Sequence, residues 1–284
     1  MNVSEALQKG ADQLTAAGVA TPRVDSEWLM THVLNCSRPE IVLRYGDVLT
    51  EVQKPQWDTL MDRRTARVPL QHLLGSVDFC GLDFKVNGNV LIPRPETELL
   101  AEGAWQFANI SDRPVILDIG TGSGCIAISI AINCPQSEVH ALDVSVEALK
   151  VARENAEQHQ VQERINFHEA DYRSVLPGQM LFDLIVSNPP YIRSTEIPKL
   201  QAEVREHDPH LALDGGADGL DFYRTLAIHA LEQLQPSGRL MLEIGDGQAK
   251  AVSALLLAAG WRVLEVFPDL NNVQRIVIAS PANP

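Results

Sequence analysis

Nowhere in the 284 residues does an uninterrupted apolar run approach the length of a bilayer-spanning helix, which excludes a membrane-spanning protein. The stretch from Met1 to Gly10 carries Glu5 and Lys9 and lacks an apolar core, so it does not read as a secretory signal, and the expected location is cytoplasmic. Cysteine is scarce. Cys36, Cys80, Cys125 and Cys134 show no Cys-x-x-Cys spacing, and the eight histidines do not pair with them at zinc-site intervals, so free thiols and no metal site are expected. Basic charge is short as well, with 23 Lys and Arg against 37 Asp and Glu and a net −14. An acidic surface of this kind repels phosphate, which argues against a protein that grips long stretches of nucleic acid, although a general acidity of the cell's proteins would read the same way.

The acidity is uneven: residues 1–75 hold 8 basic against 9 acidic side chains, and residues 76–284 hold 15 against 28. What is present differs in the same way. Up to residue 74 the chain reads as short capped helices. Asn2 with Glu5 fits a capping box ahead of Leu7, Ala11 and Leu14, and Gly18 is a stop. Thr21-Pro22 fits a cap followed by proline at the first helical position, Ser37 with Glu40 fits another box, and Thr50 opens a helix through Trp57, Leu60 and Met61. The only basic cluster is the modest Arg63, Arg64 and Arg67. Residues 75–92 change to a period of two, with Cys80-Gly81 and Asn87-Gly88 as turn signals, and read as a hairpin linker.

Residues 93–284 begin with a helix and continue as strand and helix in alternation. Near-continuous apolar runs occur at 115–119, 139–143, 165–169, 182–187, 239–244, 261–267 and 275–279, seven strands in all. Such strands, separated by helical segments, imply an α/β domain whose mostly parallel sheet is covered on both faces. Only seven residues separate Phe267 from Arg275, too few for a parallel crossover, so the last strand should run antiparallel. An open sheet with a reversed seventh strand resembles the class I S-adenosylmethionine (SAM)-dependent methyltransferase fold.

The first of these strands ends in Asp118-Ile119-Gly120-Thr121-Gly122-Ser123-Gly124 and opens a helix, where backbone can approach a ligand. Asp143, nineteen residues past Gly124 and at the end of the next strand, is placed to accept from two ribose hydroxyls. Together they point to a nucleoside-cofactor site. Asp171-Tyr172 follows the third strand; Asp171 can accept from an adenine amino group and Tyr172 can stack, or both can be ordinary boundary residues.

The fourth strand runs into Ser187-Asn188-Pro189-Pro190-Tyr191. Two successive prolines fix the backbone and cannot continue a central strand. The Asn188 side-chain carbonyl and the Pro189 backbone carbonyl then form two rigid acceptors converging on one NH₂, while Tyr191 can pack over a planar amide or base. An amide nitrogen is a poor nucleophile because its lone pair is delocalised. Acceptors aimed at both hydrogens orient it and favour a pyramidal geometry.

These words, with Ile92-Pro93-Arg94-Pro95-Glu96-Thr97-Glu98 and Ala212-Leu213-Asp214-Gly215-Gly216-Ala217-Asp218-Gly219-Leu220, resemble the PrmC/HemK family of protein-(glutamine-N5) methyltransferases over nearly the whole length. The resemblance implies methyl transfer from SAM to the glutamine of the Gly-Gly-Gln loop of peptide chain release factors. It implies that Gly120, Thr121, Gly122, Ser123, Gly124, Asp143, Tyr172 and Asn188 line the cofactor, with Asp171 beside them, and that Asn188, Pro189, Pro190 and Tyr191 hold the glutamine. It also implies that the helical residues 1–74 engage the release factor and that Arg94 and Glu96 wall the site; the acidic balance and the lack of long apolar runs point to a protein partner without direct nucleic-acid or membrane contact, and a monomer is expected. Arg94 and Glu96 fit an ordinary helix entry almost as well, and Glu243 reads as a structural hydrogen-bond acceptor. Ser123 stands where threonine is usual, Tyr172 where tryptophan often lies, and Asn272 in place of the glycine before Arg275, a position asparagine can fill in left-handed geometry. Two other readings remain open: a methyltransferase acting on an exocyclic amine of adenine or guanine in RNA or DNA, and a non-catalytic SAM-binding partner protein.

Overall fold

The computed structural model describes residues 1–172 and 180–282, and the chain divides into two compact units. The first unit is Met1–Ser76 together with Gln201–His207. It contains α1 (Val3–Ala16), α2 (Pro22–Leu34), α3 (Gln53–Thr65) and α4 (Leu70–Leu74), and later in the chain a short helix, Ala202–His207. Asn2 caps α1 reciprocally: its Oδ1 accepts from the Glu5 amide at 2.8 Å and Glu5 Oε2 accepts from the Asn2 amide at 3.0 Å. Val3, Leu14, Leu29, Met30, Trp57 and Met61 form the core of this unit.

Two local expectations change form. The segment after Ser37 is a six-residue 3-10 helix, Pro39–Arg44, and not an α-helix. The Tyr45 and Asp47 carbonyls accept from the Ser4 and Val3 amides, which draws the chain off to cover the start of α1. Arg64 and Arg67, read as part of a basic cluster, are neutralised. Arg64 Nε donates to Asp25 Oδ2 at 2.7 Å and its Nη2 to Glu203 Oε1 at 2.9 Å, while Arg67 holds both oxygens of Glu203. Burial alone would raise the Glu203 carboxyl, but the Arg67 and Arg64 guanidiniums bring it down to about 2.

The second unit is Val77–Leu200 with Asp208–Pro284. The strands β1 (Ser76–Phe79) and β2 (Leu82–Lys85) are joined by Cys80 and Gly81, both with positive φ (53° and 71°), the geometry of a two-residue hairpin turn. Phe79 and Phe84 meet edge to face and are buried in the core of this unit. There follow α5 (Pro95–Ala108), β3 (Val115–Ile119), α6 (Cys125–Asn133), β4 (Glu138–Asp143), α7 (Val146–Gln158), β5 (Ile165–Glu169) and β6 (Phe182–Ser187). After the helix Ala202–His207, α8 in chain order, come α9 (Asp221–Gln233), β7 (Leu234–Glu243), α10 (Ala249–Ala258), β8 (Trp261–Pro268) and β9 (Gln274–Pro281).

The large sheet has the order β5-β4-β3-β6-β7-β9-β8. β9 is antiparallel to both neighbours, and the other pairings are parallel. Asp269 shapes the tight connection before β9 by accepting from the Asn271 and Val273 amides, and Asn272 takes the left-handed φ of 61° that its side chain permits. β7 starts five residues earlier than its apolar run, because an irregularity opposite Phe182 to Leu184 absorbs Gln235 to Gly238. The chain leaves β3 toward β4 and β5 on one side and returns to β6 on the other, so the strand order reverses between β3 and β6. A crevice at the carboxyl ends of strands is expected at such a reversal. All four cysteines are free thiols, and among the described residues no helix is long and apolar enough to cross a membrane.

Candidate active site

Register brings the sequence-derived residues to one edge of the sheet. Ile119 of β3 lies beside Leu142 of β4 and Ser187 of β6, and Asp143 lies beside Glu169 of β5. The Gly120 and Thr121 amides both donate to the Leu142 carbonyl, at 2.8 and 3.0 Å, and the Ala170 amide donates to the Asp143 carbonyl. The glycine loop, Asp143, Asp171-Tyr172 and Asn188 to Tyr191 therefore all emerge from adjoining strand ends. Asp171 and Tyr172 are half-buried, and the Tyr172 ring packs on Phe222 with centroids 4.0 Å apart.

Gly120, Gly122 and Gly124 all adopt positive φ (73°, 55° and 82°), which side chains rarely tolerate. Their roles differ. A Cβ on Gly120 would meet nothing within 4 Å, and one on Gly122 only the Gly120 carbonyl at 4.0 Å, so these two border open space. A Cβ on Gly124 would lie 3.0 Å from Ile128 Cδ1 and 3.2 Å from Ala152 Cβ, so Gly124 lets α6 and α7 approach. Asn155 of α7 reinforces that packing by donating to the Ser123 and Lys85 carbonyls. The loop amides do not all point outward: those of Gly120, Thr121, Gly122 and Gly124 are used by Leu142, Asp143 and Thr121 acceptors. The loop contributes shape more than hydrogen-bond donors.

Asp143 Oδ2 accepts from the Gly122 amide at 2.9 Å and its Oδ1 from the Ser145 amide at 2.9 Å. Each carboxylate oxygen keeps further acceptor capacity. Asp118, fully buried at the end of β3, accepts from the Thr121 hydroxyl at 2.7 Å through Oδ2, while Oδ1 has no hydrogen-bond partner. Burial pushes its carboxyl up to about 7, against the opposing effect of the Thr121 hydroxyl and the Ala127 amide. Two glycines that border open space, next to an Asp143 carboxylate with acceptor capacity to spare, fit a cofactor that carries ribose hydroxyls, as SAM does.

Asn188 Nδ2 donates to Thr97 Oγ1 at 3.0 Å, and Thr97 Oγ1 donates to Glu243 Oε2 at 2.6 Å. Glu243 ends β7 and is almost fully buried, which pushes its carboxyl up to about 7; Thr97 and Arg275 oppose that rise and Glu96 adds to it. The Tyr191 hydroxyl lends the same carboxylate a smaller hydrogen-bonding contribution. Burial, then the Glu243 charge, raise the Tyr191 phenol to about 12, so it stays protonated. Arg94 donates to Asp208 Oδ2 at 2.7 Å, which ties the entry of α5 to the loop before residue 209.

The glycine-rich words quoted in the sequence have a mechanical role. The Ile192 amide donates to the Leu213 carbonyl and the Gly215 amide to the Ile192 carbonyl. A Cβ on Gly215 would stand 2.8 Å from Tyr191 Cα, and one on Gly219 2.5 Å from the Tyr191 carbonyl oxygen. Gln248 completes the support, its Nε2 donating to the Tyr191 carbonyl at 3.0 Å and its Oε1 accepting from the Gly245 amide at 2.9 Å. Thr97, Gln248 and Arg275 were not singled out from sequence, and Glu243 was read only as a structural acceptor. The available signal was a lone glutamate closing the otherwise apolar run Leu240-Met241-Leu242.

A reversed last strand separates the SAM-dependent methyltransferases from other doubly wound nucleotide-binding folds, and it places this chain among them. Residues 5–75 match the PrmC N-terminal domain and residues 97–217 the methyltransferase small domain. A release factor glutamine methyltransferase of Geobacter sulfurreducens is 41% identical over 93% of this chain and 91% of its own length. One from Deinococcus radiodurans is 41% identical over 99% of both chains. Among solved structures, the ribosomal protein L11 methylase of Lactobacillus delbrueckii subsp. bulgaricus (19% identity, TM-score 0.51) matches 69% of this chain and 83% of its own. A methyltransferase from Pyrococcus furiosus (20% identity, TM-score 0.51) matches 72% and 91%; both share the fold. The chain belongs to the release factor glutamine methyltransferase family.

Proposed function

We propose that the protein transfers a methyl group from SAM to the side-chain amide nitrogen of the glutamine in the Gly-Gly-Gln motif of peptide chain release factors. SAM supplies an electrophilic methyl group on a sulfonium. Gly120 to Gly124 shape its seat, Asp143 accepts from the ribose, and Asp171 and Tyr172 border the adenine. Asn188 Oδ1 and the Pro189 carbonyl accept the two hydrogens of the glutamine NH₂, so that the nitrogen lone pair is turned out of the amide plane toward the donor. Pro190 and the half-buried Tyr191 hold that corner still.

The observation that supports this reading most directly is the orientation of Asn188. Its NH₂ faces Thr97, which leaves the carbonyl as the group to meet an incoming donor. A neutral carboxamide fits two such acceptors without any ionised base. The helical unit, Met1–Ser76 with Gln201–His207, serves as the release-factor recognition module, and the hairpin read from the sequence as a linker at 75–92 belongs with the methyltransferase unit, whose core takes in Phe79 and Phe84. The protein works as a monomer in the cytoplasm without direct nucleic-acid contact, in keeping with a basic cluster in which Arg64 and Arg67 are held by Asp25 and Glu203.

Incubation of an intact release factor with the enzyme and SAM, followed by mass spectrometry of the Gly-Gly-Gln peptide, tests the proposal. A gain of one methyl group on the glutamine is expected. Label entering naked rRNA or DNA and not the release factor would overturn it in favour of an exocyclic-amine substrate. SAM binding with no methylation of any release factor would overturn it in favour of a binding protein.

A further inference from the structure

We infer that Thr97 and Glu243 are positioning residues for methyl transfer, a two-bond relay that decides which way round the Asn188 carboxamide sits. The inference rests on the reading that Asn188 Oδ1 accepts from the substrate NH₂, and it adds what keeps that oxygen in place.

A primary amide fills nearly the same volume in either of its two orientations, so packing alone does not distinguish its oxygen from its nitrogen. Hydrogen bonds must do so. Thr97 has a single hydroxyl hydrogen. An ionised Glu243 is acceptor-only, and at 2.6 Å it claims that hydrogen. Thr97 Oγ1 can then only accept from Asn188, which sets Nδ2 toward Thr97 at 3.0 Å and Oδ1 away from it. A protonated Glu243 can instead donate to Thr97. The Thr97 hydrogen is then available to Asn188 Oδ1, and both amide orientations become allowed.

Glu243 is well anchored for this task. Its backbone carbonyl accepts from the buried Tyr223 hydroxyl at 2.9 Å, and β7 is held by β6 on one side and β9 on the other. The charged and titratable groups that act on its carboxyl are Arg275 of β9, Glu96 of α5, and Tyr191. Tyr223 of α9 also faces it, and its phenol is held well above its ordinary value, first by burial and also by Tyr191 and Glu243. Burial leaves the carboxyl at about 7, so the relay is intact above that pH and opens below it.

The test compares Thr97→Val, Thr97→Ser and Glu243→Gln with Asn188→Ala in the full chain, measuring kcat and KM for the release factor between pH 5.5 and 9, with SAM affinity by calorimetry. Thr97→Val keeps volume and branching but removes the hydroxyl, and should lower kcat about tenfold or more with SAM affinity little changed. Thr97→Ser should recover most of that loss. Glu243→Gln should abolish the fall of kcat on the acid side of neutrality. If Asn188→Ala is defective while Thr97→Val matches the parent enzyme in kcat and pH profile, the relay is wrong and the substrate reading stands. Equal defects in Thr97→Ser and Thr97→Val also overturn the relay, because the hydroxyl would not be what matters. Normal turnover in Asn188→Ala removes the underlying reading itself.

Discussion

The Ser187 hydroxyl donates to the Ile119 carbonyl at 2.7 Å, joining the last residue of β6 to the last residue of β3 by a side-chain bond. The offset between the glycine loop and the Asn188 corner is thus fixed by more than the parallel ladder. The proposed cofactor seat and substrate clamp on these neighbouring strands need such a fixed offset, because a displacement of about 1 Å between reacting groups can cost on the order of a hundredfold in rate.

Replacing Asn188 by alanine removes one of the two proposed acceptors. Turnover on the release factor should fall on the order of a hundredfold or more, as when one preorganised group is lost from an oxyanion site. SAM affinity by calorimetry should change much less, since the contact matters most in the transition state.

Asp143→Ala should act on SAM binding, weakening it by about 1.5–3 kcal/mol for a lost charge-assisted hydrogen bond. The carboxylate also holds the Gly122 and Ser145 amides, so some of the loss reflects a looser loop. Unchanged affinity by calorimetry would count against its contact with the cofactor.

Gly124 and Gly122 should separate stability from binding. An alanine at Gly124 must enter the Ile128 and Ala152 contacts in addition to its left-handed backbone, which predicts a loss of about 2–4 kcal/mol in thermal or denaturant unfolding. An alanine at Gly122 meets only backbone strain, about 1–2 kcal/mol, but its methyl group enters the space over the loop and should weaken SAM binding.

The Glu203 clamp predicts a pH dependence of known sign. With its carboxyl near 2 in the fold against an ordinary 4.5, Glu203 stabilises fully above 4.5, and the contribution is lost as pH falls toward 2. Asp118 and Glu243, both raised to about 7, act oppositely: their contribution is complete below their ordinary values and is lost as pH rises through 7. Glu203→Gln should therefore flatten the acid limb of a Tm-against-pH curve below 4.5. At pH 7 its cost should be about 2 kcal/mol, after allowance for solvent around Arg67.

What could be read in advance was local or periodic. Asn2 and Glu5 are three residues apart and cap one helix; Cys80-Gly81 makes its own turn; Asn272 takes the left-handed geometry that its short side chain allows. The reversed last strand followed from a connection too short to cross over. The relay from Asn188 to Glu243 was not legible, because Thr97 lies 91 residues from one partner and 146 from the other. Nor does any local pattern announce that Glu203 joins arginines 136 and 139 positions earlier. Such pairings exist only once the sheet and the helices have brought distant chain together.

Glu203 belongs to a seven-residue excursion, Gln201–His207, that the catalytic unit lends to the helical one before the chain resumes at Asp208. The two parts are therefore interleaved in sequence and cannot be separated by a single cut. A polypeptide begun at Val77 would retain this acid while discarding Arg64 and Arg67, stranding it in the stretch that follows the Asn188 corner. Dissecting the enzyme by N-terminal deletion would thus alter the very half it was meant to isolate.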